Sequence, residues 1–394
     1  MLKIKFSSEK AYELLLIWIW SLNFIARYIR AIVLKLPKIN VVADWVIPCI
    51  MIFLVVFAGK HLIKKIKYYD IIFGLLVGIV YIISLCFYTN NTEALIGYAY
   101  EFWMAAFPLY FIGVSFGNRK ILKVLYYTSL ANLFAYFVYT SVFGNGMLES
   151  QTLYSGDMGL AYNLLPHIIL VTIYTLDKRT IKHFVLFIFL FIYLILCGTR
   201  GAVLCLILFV LIYSILCLNT SKKFYTFLLI GIVSTSFIAF YEKILIYLTE
   251  VASSLGMSVR IISLLEADIL NSSGRDLILE DLLSAIAKRP LWGYGLAGDM
   301  GLIGHYAHNI IVEMWVSFGV IFGSLLFLMI IYILVRGYQK ALNADTKKFI
   351  LLLVCSSFLR LFLSGTFLNE ELLFFLFGVC ISQIRLKGNM EVDN

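Results

Sequence analysis

The chain has 394 residues, of which 62% are hydrophobic, 16% aromatic and 14% charged, with a formal net charge of +9. A soluble domain is about 25% charged and about 45–50% apolar, so this composition leaves too little polar surface to cover a globule in water. It excludes a soluble enzyme, a nucleic-acid-binding domain, a disordered chain and a fibre, and leaves a polytopic membrane protein.

The first ten residues, MLKIKFSSEK, lack the apolar core and cleavage site of a signal peptide, so the first apolar run is expected to stay as a helix. A helical span needs roughly 20 apolar residues at about 1.5 Å each to cross a hydrocarbon core about 30 Å thick. Twelve segments qualify: 11–33, 41–62, 70–88, 94–116, 122–143, 158–176, 183–198, 202–218, 224–241, 308–335, 349–363 and 371–385. The fold expected is therefore all-α and polytopic, with a single transmembrane domain over residues 1–394. Cytoplasmic loops carry an excess of Lys and Arg. With the N-terminus inside, 21 of the 32 Lys and Arg fall on cytoplasmic segments. Only the first hairpin dissents, so both termini are expected to be cytoplasmic. One long connection, residues 242–307, then lies outside the cell membrane and is expected to be helical, with Val259–Leu270 amphipathic and Ser273 capping a second helix. The seven cysteines all fall in apolar runs, without metal-binding spacing, so neither disulfides nor a structural metal are expected.

Taken in chain order, the ionisable residues inside spans are Asp44, Glu101, His167 and Arg360. Each is costly in a membrane and a functional candidate by default, with Glu101 and Arg360 also able to neutralise one another. Asp157–Pro166 (DMGLAYNLLP) places Tyr162 and Asn163 near the outer face as a platform for sugar. Arg200 stands in the GTRGA run, Gly198–Ala202, at an outer junction between two apolar runs. It reads either as a snorkelling boundary residue or as an anion ligand with room around it. Arg275 begins the second loop helix, where free N–H groups and the dipole favour an anion. Lys288 and Arg289 end that helix, where cations are favoured in any case, and Pro290 followed by LWGYG makes a tight turn. His308 and Asn309 stand at the outer entrance of the tenth span. An imidazole with an ordinary pKa of about 6.5 suits a general base, and Glu313 is a carboxylate deeper in the same helix that needs a partner. His305 and His308 alone do not complete a metal site.

GTRGA, Gly274-Arg275 in one large outer loop, Arg289-Pro290-x-x-Gly293-x-Gly295, and His308-Asn309 followed by Gly319 resemble the O-antigen polymerase and O-antigen ligase superfamily over roughly residues 155–385. The run Gly319–Gly323 departs from the usual Gly-x-x-Gly by one residue. The resemblance implies a membrane glycosyltransferase of C-class-like fold, acting without a metal or other cofactor. Its donor would be a glycan on undecaprenyl pyrophosphate. Arg200 and Arg275, with Arg289 as a third cation, would hold the pyrophosphate; His308 would be the base; Asn309, Glu313, Tyr162 and Asn163 would contact or support substrate. The expected activity is polymerisation of capsule or O-antigen repeat units at the outer face of the bacterial cytoplasmic membrane, alongside a flippase and a chain-length regulator. The alternatives are a ligase that passes glycan to lipid A core or protein, and a polysaccharide flippase or transporter.

Overall fold

The computed structural model describes residues 7–35, 40–143, 158–196, 199–219 and 275–392, with single positions 223, 247 and 250. Among these residues every regular element is a helix, and four helices are long and apolar enough to cross a membrane: Tyr68–Phe87, Thr89–Val114, Arg200–Cys217 and Ile310–Lys340. Helices are the outcome physics requires, since lipid offers no partner to an exposed backbone N–H or C=O. In chain order the α-helices are α1 (Ser8–Lys35), α2 (Asn40–Lys65), α3 (Tyr68–Phe87), α4 (Thr92–Glu101), α5 (Phe107–Val114), α6 (Leu122–Phe143), α7 (Met158–Lys178), α8 (Ile181–Leu196), α9 (Arg200–Cys217), α10 (Arg275–Lys288), α11 (Gly298–Ile303), α12 (Ile310–Lys340), α13 (Ala344–Leu353) and α14 (Glu371–Val392). The expected span at 224–241, the amphipathic segment Val259–Leu270, the Ser273 cap and the side chain of Asp44 lie outside the described residues.

The chain forms two compact units, residues 1–64 with 120–267 and residues 65–119 with 268–394. In the first, α7 is the central helix, packed by α6, α8 and α9. Its side chains are buried nearly all round, from Ala161 through Leu165 to Ile173. Such a helix has no polar face to give to solvent, and its one histidine is satisfied internally. Ser129 Oγ lies 2.8 Å from His167 Nδ1, and Trp20 Nε1 donates to the same hydroxyl at 2.8 Å. Asn132 Nδ2 donates to Ser21 Oγ at 3.0 Å, so two polar contacts join α1 to α6.

In the second unit α5 and α14 cross at Gly113 and Gly378, where a Cβ on either would run into the opposing backbone. Small residues let membrane helices approach this closely. Arg385 of α14 grips Asp70 of α3 with both amino groups, Nη1 to Oδ2 at 2.9 Å and Nη2 to Oδ1 at 2.5 Å. Tyr110 of α5 donates to the same carboxylate at 2.7 Å, and the Lys67 N–H does so at 2.8 Å. Asp70 is fully buried, so removing one partner of this bidentate pair costs about 3–5 kcal/mol.

Two of the expected spans are less regular than their sequence implies. Between α4 and α5 the helix widens to a π turn at Phe102–Ala106. Pro108, two residues beyond it, has no N–H to continue an α-helical ladder. After α13 the chain passes through a π turn at Val354–Phe358 and a 3-10 turn at Leu359–Phe362. Arg360 on that last turn pairs with Glu370 at 3.1 Å, whereas Glu101 accepts from Asn369 Nδ2 at 2.7 Å. The neutralisation of Glu101 by Arg360 that the sequence allowed is thus replaced by a pair between Arg360 and a residue ten positions on.

Candidate functional site

The second unit holds a seam between the turn after α10 and a break in α12. Gly319, nine residues into that helix, has φ 77° and ψ 168°, a conformation outside any helix and open in practice to glycine alone. The turn Pro290–Gly295 docks into the gap. Tyr294 N donates to Val316 O at 2.7 Å, Gly295 N to Ser317 O at 3.1 Å, and Val320 N to Pro290 O at 2.7 Å. Gly293, at φ 64°, sits where a Cβ would be 2.5 Å from Val316 O. The RPxxGxG motif is therefore a backbone plug for the helix break, and the register left open by Gly319–Gly323 is broken at its first glycine. Beside the seam, Leu282 and Ile286 of α10 pack with Ala307, Val312 and Val316, which fixes α10 against α12.

This packing positions His308. The residue is left-handed, with φ 54°, a conformation uncommon outside glycine and worth attention in a non-glycine residue. Two contacts hold it there. Asn309, the N-cap of α12, accepts from Ile311 N at 3.0 Å and Val312 N at 3.4 Å. On the other side, buried Asp299 accepts from Ala307 N at 2.8 Å and Met300 N at 2.9 Å. The His308 ring lies on Tyr306, with centroids 4.1 Å apart. Its Nδ1 is buried and has no hydrogen-bond partner among the described residues.

Burial pushes the His308 pKa down to about 4; the charge of Arg275 and then His305 push the same way, while a hydrogen bond to the Leu363 backbone opposes them. The imidazole is thus neutral throughout the physiological range, with a lone pair to accept a proton. The ordinary value of about 6.5 expected from sequence does not survive burial. Asp299 moves in the opposite direction, raised by desolvation despite its N–H donors.

Of the other expected residues, Arg275 is half-buried as the first residue of α10 and acts electrostatically on His308. Arg289 is exposed and lies over the Tyr294 ring at 5.0 Å. Asn309 is committed to its cap. Glu313 is buried and its carboxylate is engaged elsewhere: Oε1 accepts from the Thr366 hydroxyl and Oε2 from Phe367 N at 3.3 Å. Arg200, Tyr162 and Asn163 belong to the first unit. Arg200 is exposed and opens α9; Thr199, its N-cap, makes no side-chain cap bond and has a buried hydroxyl without a partner among the described residues. Tyr162 is 4% exposed and Asn163 half-buried, so Tyr162 serves the core of α7 more than an open platform. Gly198 and Gly274 lie outside the described residues.

Asp299, Tyr306 and Thr366 carry parts of this arrangement that sequence reasoning missed. Asp299 had a signal, an acid immediately after the GYGLAG run. Thr366 had none, being 53 residues from its partner.

Residues 185–328 match a family model described as O-antigen ligase. The match takes in Arg200, Arg275, Arg289, His308, Asn309 and Glu313, and supports the O-antigen ligase/polymerase superfamily to which the motifs pointed. No curated protein and no solved structure matches the chain.

Proposed function

We propose that this chain, placed by residues 185–328 in the O-antigen ligase/polymerase superfamily, polymerises oligosaccharide repeat units carried on undecaprenyl pyrophosphate for a capsule or O-antigen. The observation that supports this most is His308: a neutral imidazole with an unpartnered ring nitrogen, in a strained conformation fixed from both sides, beside the charge of Arg275. A glycosyl transfer of this kind asks for a base and for cations. The acceptor sugar hydroxyl gives its proton to His308 as its oxygen attacks the anomeric carbon of the donor glycan. The bond from that carbon to the pyrophosphate breaks, and undecaprenyl pyrophosphate departs with the electron pair. Arg200 and Arg275, with Arg289 as a third cation, stabilise the departing charge, since guanidinium groups hold phosphate oxygens in pairs. In this reading no metal takes part.

The same reading has about twelve spans in a C-class-like arrangement, both termini in the cytoplasm, and residues 242–307 on the outer face of the cytoplasmic membrane. Donor units arrive through a flippase, and a chain-length regulator acts on the product. The description of the matched family favours one second reading, a ligase that passes finished glycan to lipid A core or protein. Purified protein given lipid-linked repeat units alone separates the two. A polymerase lengthens the lipid-linked glycan without other acceptor and continues in EDTA; a ligase leaves chain length unchanged until core lipid or protein is added.

A further inference from the structure

The turn from Leu363 to Glu370 lies beyond the family match, yet it is joined to the histidine motif at four points. Leu363 offers its backbone to His308. The Ser364 hydroxyl is 3.4 Å from that of Tyr306, whose ring lies on the imidazole. The Thr366 hydroxyl and the Phe367 N–H both donate to Glu313. The turn is also closed on itself. Leu368 N donates to Thr366 Oγ1 at 3.2 Å, Gly365 takes φ 90°, and Arg360 pairs with Glu370 across its base. Glu313 is 2% exposed, and each of its carboxylate oxygens is given to this turn. Burying a carboxylate in a membrane helix costs several kcal/mol unless its oxygens are satisfied, so the contact fixes where the turn sits on α12.

We propose that Glu313 is a positioning residue: from within α12 it holds the Leu363–Glu370 turn over His308 as one wall of the catalytic site, and so keeps the imidazole dry and aligned. The inference rests on the reading of His308 as the base. The charged groups that act on the imidazole are Arg275 on α10 and His305 on its own loop; α10 also carries Asp276, Glu280, Asp281 and Lys288, the loop Tyr306, α11 Asp299, α12 Glu313 and, at its far end, Arg336 and Lys340, and the turn Arg360 and Glu370, while Tyr98 on α4 and Tyr81 on α3 lie within electrostatic reach of Glu313. Arg275 and His305 lower the imidazole's proton affinity directly. The wall acts in two opposed ways, since burial lowers that affinity and the Leu363 hydrogen bond raises it; burial is the larger of the two, so release of the wall raises the affinity on balance without any change in charge next to the ring.

The test measures modification of each histidine by diethyl pyrocarbonate, resolved by fragmentation mass spectrometry from pH 3.5 to 8, because only the neutral imidazole reacts. It needs no catalytic turnover. In the full-length protein the His308 midpoint is expected near 4. In Glu313→Ala it rises by one unit or more towards the ~6.5 of a free imidazole, with faster modification, and kcat for chain extension at pH 7 falls about 10–100-fold with less change in KM. Glu313→Gln stays near wild type in both readouts. Its carbonyl takes the Phe367 N–H, and its amide donates to the Thr366 hydroxyl, which reverses its role. Thr366→Val shifts the midpoint in the same direction by less, and with the Gln variant decides the matter if the Ala variant fails to fold. An unmoved midpoint in Glu313→Ala, or in Thr366→Val where only that variant folds, overturns the proposal, as does a Gln variant shifted as far as Ala. A shifted midpoint combined with full chain extension by His308→Ala leaves the wall standing and removes the base.

Discussion

His167 and His308, one from each unit, differ in what their nitrogens meet. His167 is buried in the middle of α7, and its Nδ1 is spoken for by Ser129, which Trp20 also holds. His308 is half-buried, strained, and has an Nδ1 that meets no partner among the described residues. By hydropathy alone His167 is the more anomalous of the two, because it lies in the middle of a segment expected to span, whereas His308 lies at the edge of one. Cost of burial therefore marks an ionisable residue as needing an explanation, and the partner list decides which explanation applies. A closed network is architecture; an open nitrogen held in place by its neighbours is what the proposed base requires.

The comparison breaks most readily at its ends. His308→Ala should lower chain extension by about 10²–10⁴-fold at unchanged protein level, the usual worth of a general base. His167→Ala should leave turnover per folded protein near wild type. Its cost is stability, about 1–3 kcal/mol for the buried hydroxyl deprived of a partner, read as a lower melting temperature in detergent. Equal activity loss in both variants would erase the distinction.

The second largest effect is expected at Arg200. Arg200→Lys should be nearly as inactive as Arg200→Ala, since an ammonium cannot reproduce a paired guanidinium contact to phosphate. Polymer of normal length from the Lys variant would return Arg200 to a boundary residue that snorkels.

Much of this was legible in the sequence, and the limit has a physical cause. Composition established a helical membrane protein because lipid admits few alternatives. The Asn after His308 announces a helix start, and glycines at 293 and 319 mark where backbone must approach backbone. What could not be read is whatever depends on distant pairing. Glu313 read as a carboxylate in need of a partner about one and a half turns deeper than His308, but its donors come from Thr366 and Phe367, across a contact that local periodicity does not encode. Arg360 could be read as a partner for Glu101 across helices, but it pairs with Glu370, ten residues on, beyond the 3-10 turn that ends its helix. The depressed pKa of His308 is likewise a property of its surroundings, which a single chain of letters does not contain.

A smaller effect sharpens the electrostatic half of the comparison. Arg275 lowers the proton affinity of His308, so Arg275→Ala should move the acid limb of the pH–rate profile upward by a fraction of a unit or more, besides weakening donor binding. A limb that stays put or moves down would place Arg275 too far away to matter. Smallest of all, Asn309→Ala should cost about 0.5–2 kcal/mol of stability through the lost cap, and Asn309→Ser should restore most of it. If Ser restores stability but not activity, Asn309 touches substrate as well as the helix.

The central claim, that His308 acts as a neutral base whose proton affinity is depressed by its site, is tested most directly by the rate of chain extension between pH 4 and 8. A folded-state pKa of about 4 keeps the base unprotonated down to mildly acid pH, so kcat/KM should be flat from pH 8 to about 5.5 and fall only as the pH approaches 4. His308→Ala should lie at least about 10²-fold below it throughout the flat region. A wild-type limb near 6.5, or a His308→Ala profile that overlays the wild type, would contradict the account.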